Sequence, residues 1–284
     1  MRQGAHSNSS AAAHTLKALW DARGPNVALV EGTSDYALGS VRLSFLVLAP
    51  NGKSIERPQA RVWVARGLDR APFGHATALL EPIGVPGSYT AGYDVGHLYV
   101  TQLHLTRPGK YWVLAEPVGG NPIQALGNVI VRAKTLSPSI GSKAFASQTP
   151  TLASDHGDLS KLTTRAPPDR ALLRYSIAGS LAAQKPFVVV FATPKFCASR
   201  TCGPVVDVVD RVRARFAKTP IRFIHVEIYR DNDPAKGFNR WVKEWRLPTE
   251  PWVFLVSGDG RVRAKFEGSI SVAELSSAVR RALL

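Results

Sequence analysis

The sequence predicts two domains of different class, an all-β antiparallel sandwich followed by an α/β domain. Three observations predict it. From about residue 26 to 133, short β-branched and aromatic runs alternate with turn residues at a spacing of about ten. Residues 136–169 are rich in Ser, Thr, Pro and Gly with few apolar anchors, the composition of an extended linker. Beyond them, helical stripes alternate with wholly apolar runs, the grammar of a sheet covered on both faces.

In the first half the strand candidates are "NVALVEG", "VRLSFLVLAPNGKS", "ARVWVARG", "GSYTAGYDV", "LYVTQLHL", "GKYWVLAEP" and "NVIVRA". Pro50-Asn51-Gly52 and Pro108-Gly109 punctuate them as turns. About seven strands of this length are expected to form an immunoglobulin-like β-sandwich over 21–135, after a polar tail at 1–20. The segment at 109–113 resembles the small sandwich modules attached to bacterial extracytoplasmic proteins.

In the second half, 170–284, "ALLRYSIAGSLAAQ" places apolar residues at 172, 173, 177 and 181, a helical stripe, and "FVVVFA" is a buried strand. A helix over 204–217 follows, with Val205, Val208, Val209, Val212 and Phe216 on one face. Then come the strand "IRFIHVEIY", a helix around "GFNRWVKEW", two strands joined through Gly258-Asp259-Gly260, and the helix "VAELSSAVRRALL".

At 284 residues and 45% apolar composition, the chain buries two cores without staples. The balance of 36 Lys and Arg against 21 Asp and Glu leaves +15. Such a surface suits an anionic membrane or cell-wall polymer, whereas no basic run interleaved with stacking aromatics marks a nucleic-acid groove. No stretch is long and apolar enough to be expected to cross a bilayer. The opening "MRQGAHSNSSAAAHTLKALW" lacks the apolar segment of a signal peptide, so an exported location requires a signal outside this sequence.

Both cysteines lie in "FATPKFCASRTCGPVVDVVDRV", residues 191–212. Pro204 suits a first helical turn, which sets Cys202 at a helix N-terminus, where unpaired N–H groups and the positive dipole end favour a thiolate. Lys195 and Arg200 add positive charge. Cys202 is therefore expected to be the attacking sulfur and Cys197 its resolving partner.

Over 170–284 the chain resembles the thioredoxin superfamily, in particular its extracytoplasmic TlpA-like members. The resemblance rests on Phe191-Ala192-Thr193-Pro194 before the first cysteine, on Cys202-Gly203-Pro204, and on "LPTEPWVFLVSGDGRV", where the family places a cis-proline before a strand and hairpin. It implies that Pro251 is that cis-proline, facing the cysteines, and that Pro194, Phe196, Gly203, Pro204, Glu250 and Trp252 shape the site. It also implies a redox-active disulfide without other cofactor, a protein thiol or disulfide as substrate, and an extracytoplasmic thiol-disulfide oxidoreductase. The sequence departs from the family in three ways: CxxC has become CxxxxC, Phe196 stands where Trp precedes the first cysteine, and Val190 occupies the place of the buried acid that relays protons. Glu227 and Glu250 would supply the missing proton relay if either reaches a cysteine.

Two other readings fit the same residues. Sco-type proteins deliver copper with two cysteines and a distant His in this fold; here the ligands would be Cys197, Cys202 and His225, the sulfurs suiting Cu(I). Alternatively, the pair is a structural disulfide in a non-catalytic interaction protein.

Overall fold

The computed structural model describes residues 14–21, 24–25, 27–85, 96–197 and 201–284. The chain divides into two compact units, Met1–Pro82 with His97–Lys134, and Ile83–Gly96 with Thr135–Leu284.

The first unit contains helix α1 (Leu16–Trp20) and strands β1 (Ala28–Glu31), β2 (Tyr36–Ala37), β3 (Gly39–Leu48), β4 (Gln59–Ala65), β5 (Gly74–Pro82), β6 (His97–Leu105), β7 (Gly109–Pro117) and β8 (Ala125–Arg132). These strands form one hydrogen-bonded sheet of eight in the order β1-β3-β6-β5-β4-β7-β8-β2, antiparallel except for β2 against β8. The expected sandwich is thus a single sheet that curls until β1 contacts β8. Gly127 permits the approach, since a Cβ there would meet Leu29 Cδ2 at 2.8 Å and Glu31 Oε1 at 3.0 Å. Leu43, Phe45, Val62, Tyr99, Tyr111 and Val113 form the core inside the curl.

Strand β5 was not anticipated. Its residues are mostly exposed and carry little β-branching, so the period-2 signal is weak. Of the strand candidates, "GSYTAGYDV" at 87–95 lies outside the described residues, apart from sequence placement. The tail at 1–20 is not wholly a tail: Thr15 Oγ1 caps α1 by accepting from the Ala18 N–H, and Leu16 is buried with Ala65 and Leu114.

The second unit contains α2 (Leu159–Leu162), a 3-10 turn (Arg170–Leu173), α3 (Ile177–Ala182), β9 (Phe187–Phe191), α4 (Cys202–Arg215), β10 (Arg222–Val226), two 3-10 turns (Arg230–Asn232 and Pro234–Lys236), α5 (Arg240–Glu244), β11 (Trp252–Val256), β12 (Val262–Glu267) and α6 (Val272–Leu283). Its sheet runs β10-β9-β11-β12; β10 is parallel to β9, and β11 is antiparallel to both β9 and β12. Every residue of β9 and β11 is buried, as a sheet covered on both faces requires. Phe187, Val189 and Phe191 pack with Ile177, Val242 and Trp245 on one face. On the other, α4 and α6 pack against each other and against the strands. The expected helix over 171–184 is split: Ser176 starts a new helix by accepting from the Gly179 N–H.

The stretch 136–169, expected as a linker, is bonded into this unit. Gly141 N–H donates to Val262 O at 2.8 Å, and Val262 N–H returns a bond to Ser142 O at 2.9 Å. Ser147 Oγ donates to Glu244 and accepts from Trp245 Nε1 at 3.1 Å, and Thr149 Oγ1 accepts from Ile177 N–H at 3.0 Å. The composition that reads as a linker serves here as a set of hydroxyl partners for buried donors and acceptors.

Candidate functional site

Strand pairing assembles the cysteine site. Parallel register sets Val226 beside Phe191, so the chain leaving β10 through Tyr229 runs beside the chain leaving β9 toward Cys197. Antiparallel register sets Trp252 opposite Phe191, which carries Glu250 across from Thr193. The Glu250–Pro251 peptide is cis. Cys197 Sγ, Cys202 Sγ and a Glu250 carboxylate oxygen all lie within 4.8 Å of one another.

The two sulfurs differ in environment. Cys202 is fully buried in the first turn of α4, while Cys197 is half-buried in the preceding loop. Thr201, at the N-cap of α4, makes no side-chain capping hydrogen bond; the Cys202 backbone N–H donates to Cys197 Sγ at 3.2 Å. The sulfur of Cys197 therefore takes the place of a capping oxygen, and the positive end of α4 stabilises negative charge there.

This is not the environment expected of Cys202 as the sulfur favoured as a thiolate. Burial pushes the Cys202 thiol far above its ordinary value, and Cys197 and Glu250 push it further, against one hydrogen bond from the Thr193 backbone. A helix N-terminus favours a thiolate only where its N–H groups reach the sulfur and water is near; here the first free N–H points at Cys197. Lys195 is turned over the Phe196 ring, 5.3 Å from its centroid, and Arg200 lies outside the described residues.

Other predicted residues divide between the site and the core. A Glu250 carboxylate oxygen lies within 4.8 Å of both sulfurs. Pro204 occupies the first turn of α4 and Gly203 has open space where a Cβ would stand. Pro194 and Phe196 line the loop, with Phe196 N–H donating to Thr193 O at 3.2 Å. Trp252, however, borders no groove: it is buried, stacks on Phe254 at 5.5 Å and donates from Nε1 to Thr249 Oγ1 at 3.2 Å. Strand alternation turns it into the core beside Trp245.

His225 does not join the sulfurs. It is buried, with Nε2 facing Ala192 O at 3.0 Å and Nδ1 facing Thr163 Oγ1 at 3.4 Å, so both ring nitrogens are engaged elsewhere. Among the described residues, the third potential metal ligand beside the cysteines is Glu250. Glu227 is also committed elsewhere, accepting from Thr164 N–H at 2.5 Å and Thr164 Oγ1 at 2.8 Å.

Tyr229 is a site residue that sequence reasoning missed. Its hydroxyl is held above its ordinary value by burial first and then by Glu250, Cys197 and Cys202, which locates it within their field. Its ring stacks on Phe238 at 5.7 Å. The signal was present in the two consecutive apolar runs: if they pair in parallel, the residues just past their ends are neighbours.

No family model matches the chain, and no curated protein matches it. Among solved structures, a thiol:disulfide interchange protein of the thioredoxin family from Chlorobium tepidum TLS is similar at 13% identity and a TM-score of 0.30, over 52% of this chain and 97% of that one. A Lin-41 filamin domain is similar at 13% identity and a TM-score of 0.24, over 39% of this chain and 96% of that one. Among the described residues no helix is long and apolar enough to cross a membrane.

Proposed function

We propose that the chain is a thiol-disulfide oxidoreductase in which Cys197 attacks and Cys202 resolves. The observation that carries the reading is the hydrogen bond from the N-terminus of α4 to a half-buried sulfur, with a second, buried sulfur beside it. Cys197 thiolate attacks one sulfur of a substrate disulfide; the Cys197–substrate bond forms, the substrate S–S bond breaks, and one substrate thiolate leaves. Cys202 then attacks Cys197 Sγ, giving the Cys197–Cys202 disulfide and releasing the second substrate thiol. The substrate gains two electrons and the pair loses two; the same steps run in reverse oxidise a dithiol. Glu250, within 4.8 Å of both sulfurs, is a carboxylate placed to take the proton from Cys202, a thiol that burial keeps protonated. It does so from the turn before β11, whereas Val190 on β9 offers no acid.

On this reading the second unit is a thioredoxin-like domain and the first an immunoglobulin-like module that holds partner or substrate. The protein acts outside the cytoplasm, where a dithiol and its disulfide interconvert without a reducing pool, and its +15 charge favours an anionic envelope surface. Copper delivery through His225 is disfavoured by that residue's commitments to Ala192 and Thr163.

Trapping tests the assignment. Cys202→Ser protein, incubated with a disulfide-containing protein, should accumulate a mixed disulfide through Cys197, and Cys197→Ser should accumulate none. Trapping by Cys197→Ser alone would reverse the roles, and trapping by neither would leave the pair without exchange chemistry.

A further inference from the structure

We propose that the reduced pair, together with Glu250, forms a binding site for a thiophilic divalent cation of the zinc type. Three ligand atoms converge from separate elements: Cys197 from the loop after β9, Cys202 from the first turn of α4, and Glu250 from the turn before β11. All lie within 4.8 Å of one another. A tetrahedral zinc ion binds sulfur at about 2.3 Å and carboxylate oxygen at about 2.0–2.2 Å, so its ligand atoms stand roughly 3.5–4 Å apart. The cluster needs to contract by a fraction of an ångström to one or so, which the half-buried Cys197 loop and the Glu250 side chain supply.

The donor set selects the metal class. Two sulfurs and one carboxylate suit Zn2+ better than Cu(I), which prefers sulfur alone or with imidazole, and better than Ca2+ or Mg2+, which take oxygen. Three protein ligands leave a fourth position, and exposure at Cys197 opens it to water or a further donor. The Thr193 backbone hydrogen-bonds Cys202 beside the cluster. The side-chain Oγ1 of the same residue is buried without a hydrogen-bond partner among the described residues, a polar group that ordinarily would be satisfied.

Binding would also regulate the pair. A cation that holds both sulfurs withdraws the nucleophile and its partner together, so the metal-loaded protein is silent toward disulfides and release restores it. This consequence rests on the exchange reading; the binding itself requires only two reduced thiols and Glu250.

The experiment uses the full chain, reduced and freed of reductant, titrated with Zn2+ against a chromophoric chelator and, in parallel, with Co2+ as a spectroscopic substitute. Expected are uptake of one equivalent, a thiolate-to-cobalt charge-transfer band, and protection of Cys197 from alkylation by iodoacetamide. Cys197→Ser should abolish the band, and Glu250→Gln should weaken affinity by about tenfold or more. Uptake no stronger than in Cys197→Ser protein would overturn the proposal, as would equal affinity in Glu250→Gln protein. Trapping by Cys202→Ser in metal-free buffer is scored separately. Trapping without metal uptake removes this site and leaves exchange standing; uptake without trapping does the opposite.

Discussion

In the first unit, Tyr99 Oη accepts from the Arg57 N–H at 2.9 Å and donates to Ile55 O at 3.2 Å. Tyr111 Oη donates to Arg107 O at 2.6 Å and accepts from Arg66 at 3.1 Å, and Thr101 Oγ1 donates to Thr77 O at 2.9 Å. In the second unit, by contrast, Thr193 Oγ1, Glu227 Oε2 and Trp241 Nε1 are buried with no hydrogen-bond partner among the described residues. A buried thiol and a carboxylate lie beside the first of these. Buried polar groups are ordinarily paired because leaving one unmade costs roughly 1–3 kcal/mol. In the first unit these hydroxyls fasten one strand or loop to another; in the second, Thr193 Oγ1 and Glu227 Oε2 lie unpaired just past the ends of β9 and β10, near the cysteines. The difference teaches that the Tyr99 and Tyr111 hydroxyls of the first unit act as ties within a scaffold, whereas the polar atoms past β9 and β10 stand open beside two thiols and a carboxylate.

The largest effect should break the second unit's chemistry without its fold. Cys197→Ser is expected to lower disulfide reduction by about a thousandfold or more while the melting temperature changes by a degree or two, measured by turnover and by circular dichroism on the same sample. Retained turnover would dissolve the contrast between the two units.

Next in size is the packing beneath the site. Trp245 is fully buried and contacts Phe191 at 5.1 Å and Phe254 at 4.8 Å between ring centroids. Trp245→Ala should cost about 3–5 kcal/mol by denaturant unfolding, and loosen the strand end that carries Thr193.

A smaller loss is expected in the scaffold. Tyr111→Phe removes a hydroxyl that ties Arg107 and Arg66, and should cost about 1–2 kcal/mol with exchange activity unchanged. An activity loss equal to that of a site variant would show that the two units are not separate in role.

The smallest effect concerns pH. Burial raises Glu31 from its ordinary 4.5 to about 7, against a hydrogen bond from the Asn128 backbone. The folded chain therefore holds this proton more tightly than the unfolded chain does. The stability it contributes is complete below pH 4.5 and is lost as pH rises through about 7. Glu31→Gln should raise the melting temperature at pH 8 by a few degrees at most, the gain reduced by partial exposure, and leave it unchanged near pH 4. A gain of the same size at both values would locate the effect in packing against Gly127 rather than in charge.

Much of the fold was legible. Apolar runs such as "FVVVF" announce a strand covered on both faces, and the Val stripe after Pro204 announces α4, because burial and helical period are local properties of sequence. Strand β5 was not legible because "GHATALLEP" lacks both alternation and β-branching. At the site, the two cysteines and Glu250 were evident as candidates, but their roles were not. A helix N-terminus is visible in sequence, whereas the sulfur toward which its N–H groups point depends on how the intervening loop returns.

The sequence by itself determined the two classes of architecture and the position of the cysteine pair before a helix, since each follows from composition or period; the place of Pro251 came from resemblance. Only the tertiary structure decided that the N-terminal strands close as one curled sheet, that 136–169 is bonded into the second unit, and that Cys202 is buried while Cys197 receives the helix's first N–H. Those outcomes depend on contacts between residues distant in the chain: the register of β9 against β10 and β11 selects which atoms meet, and no local pattern records that register.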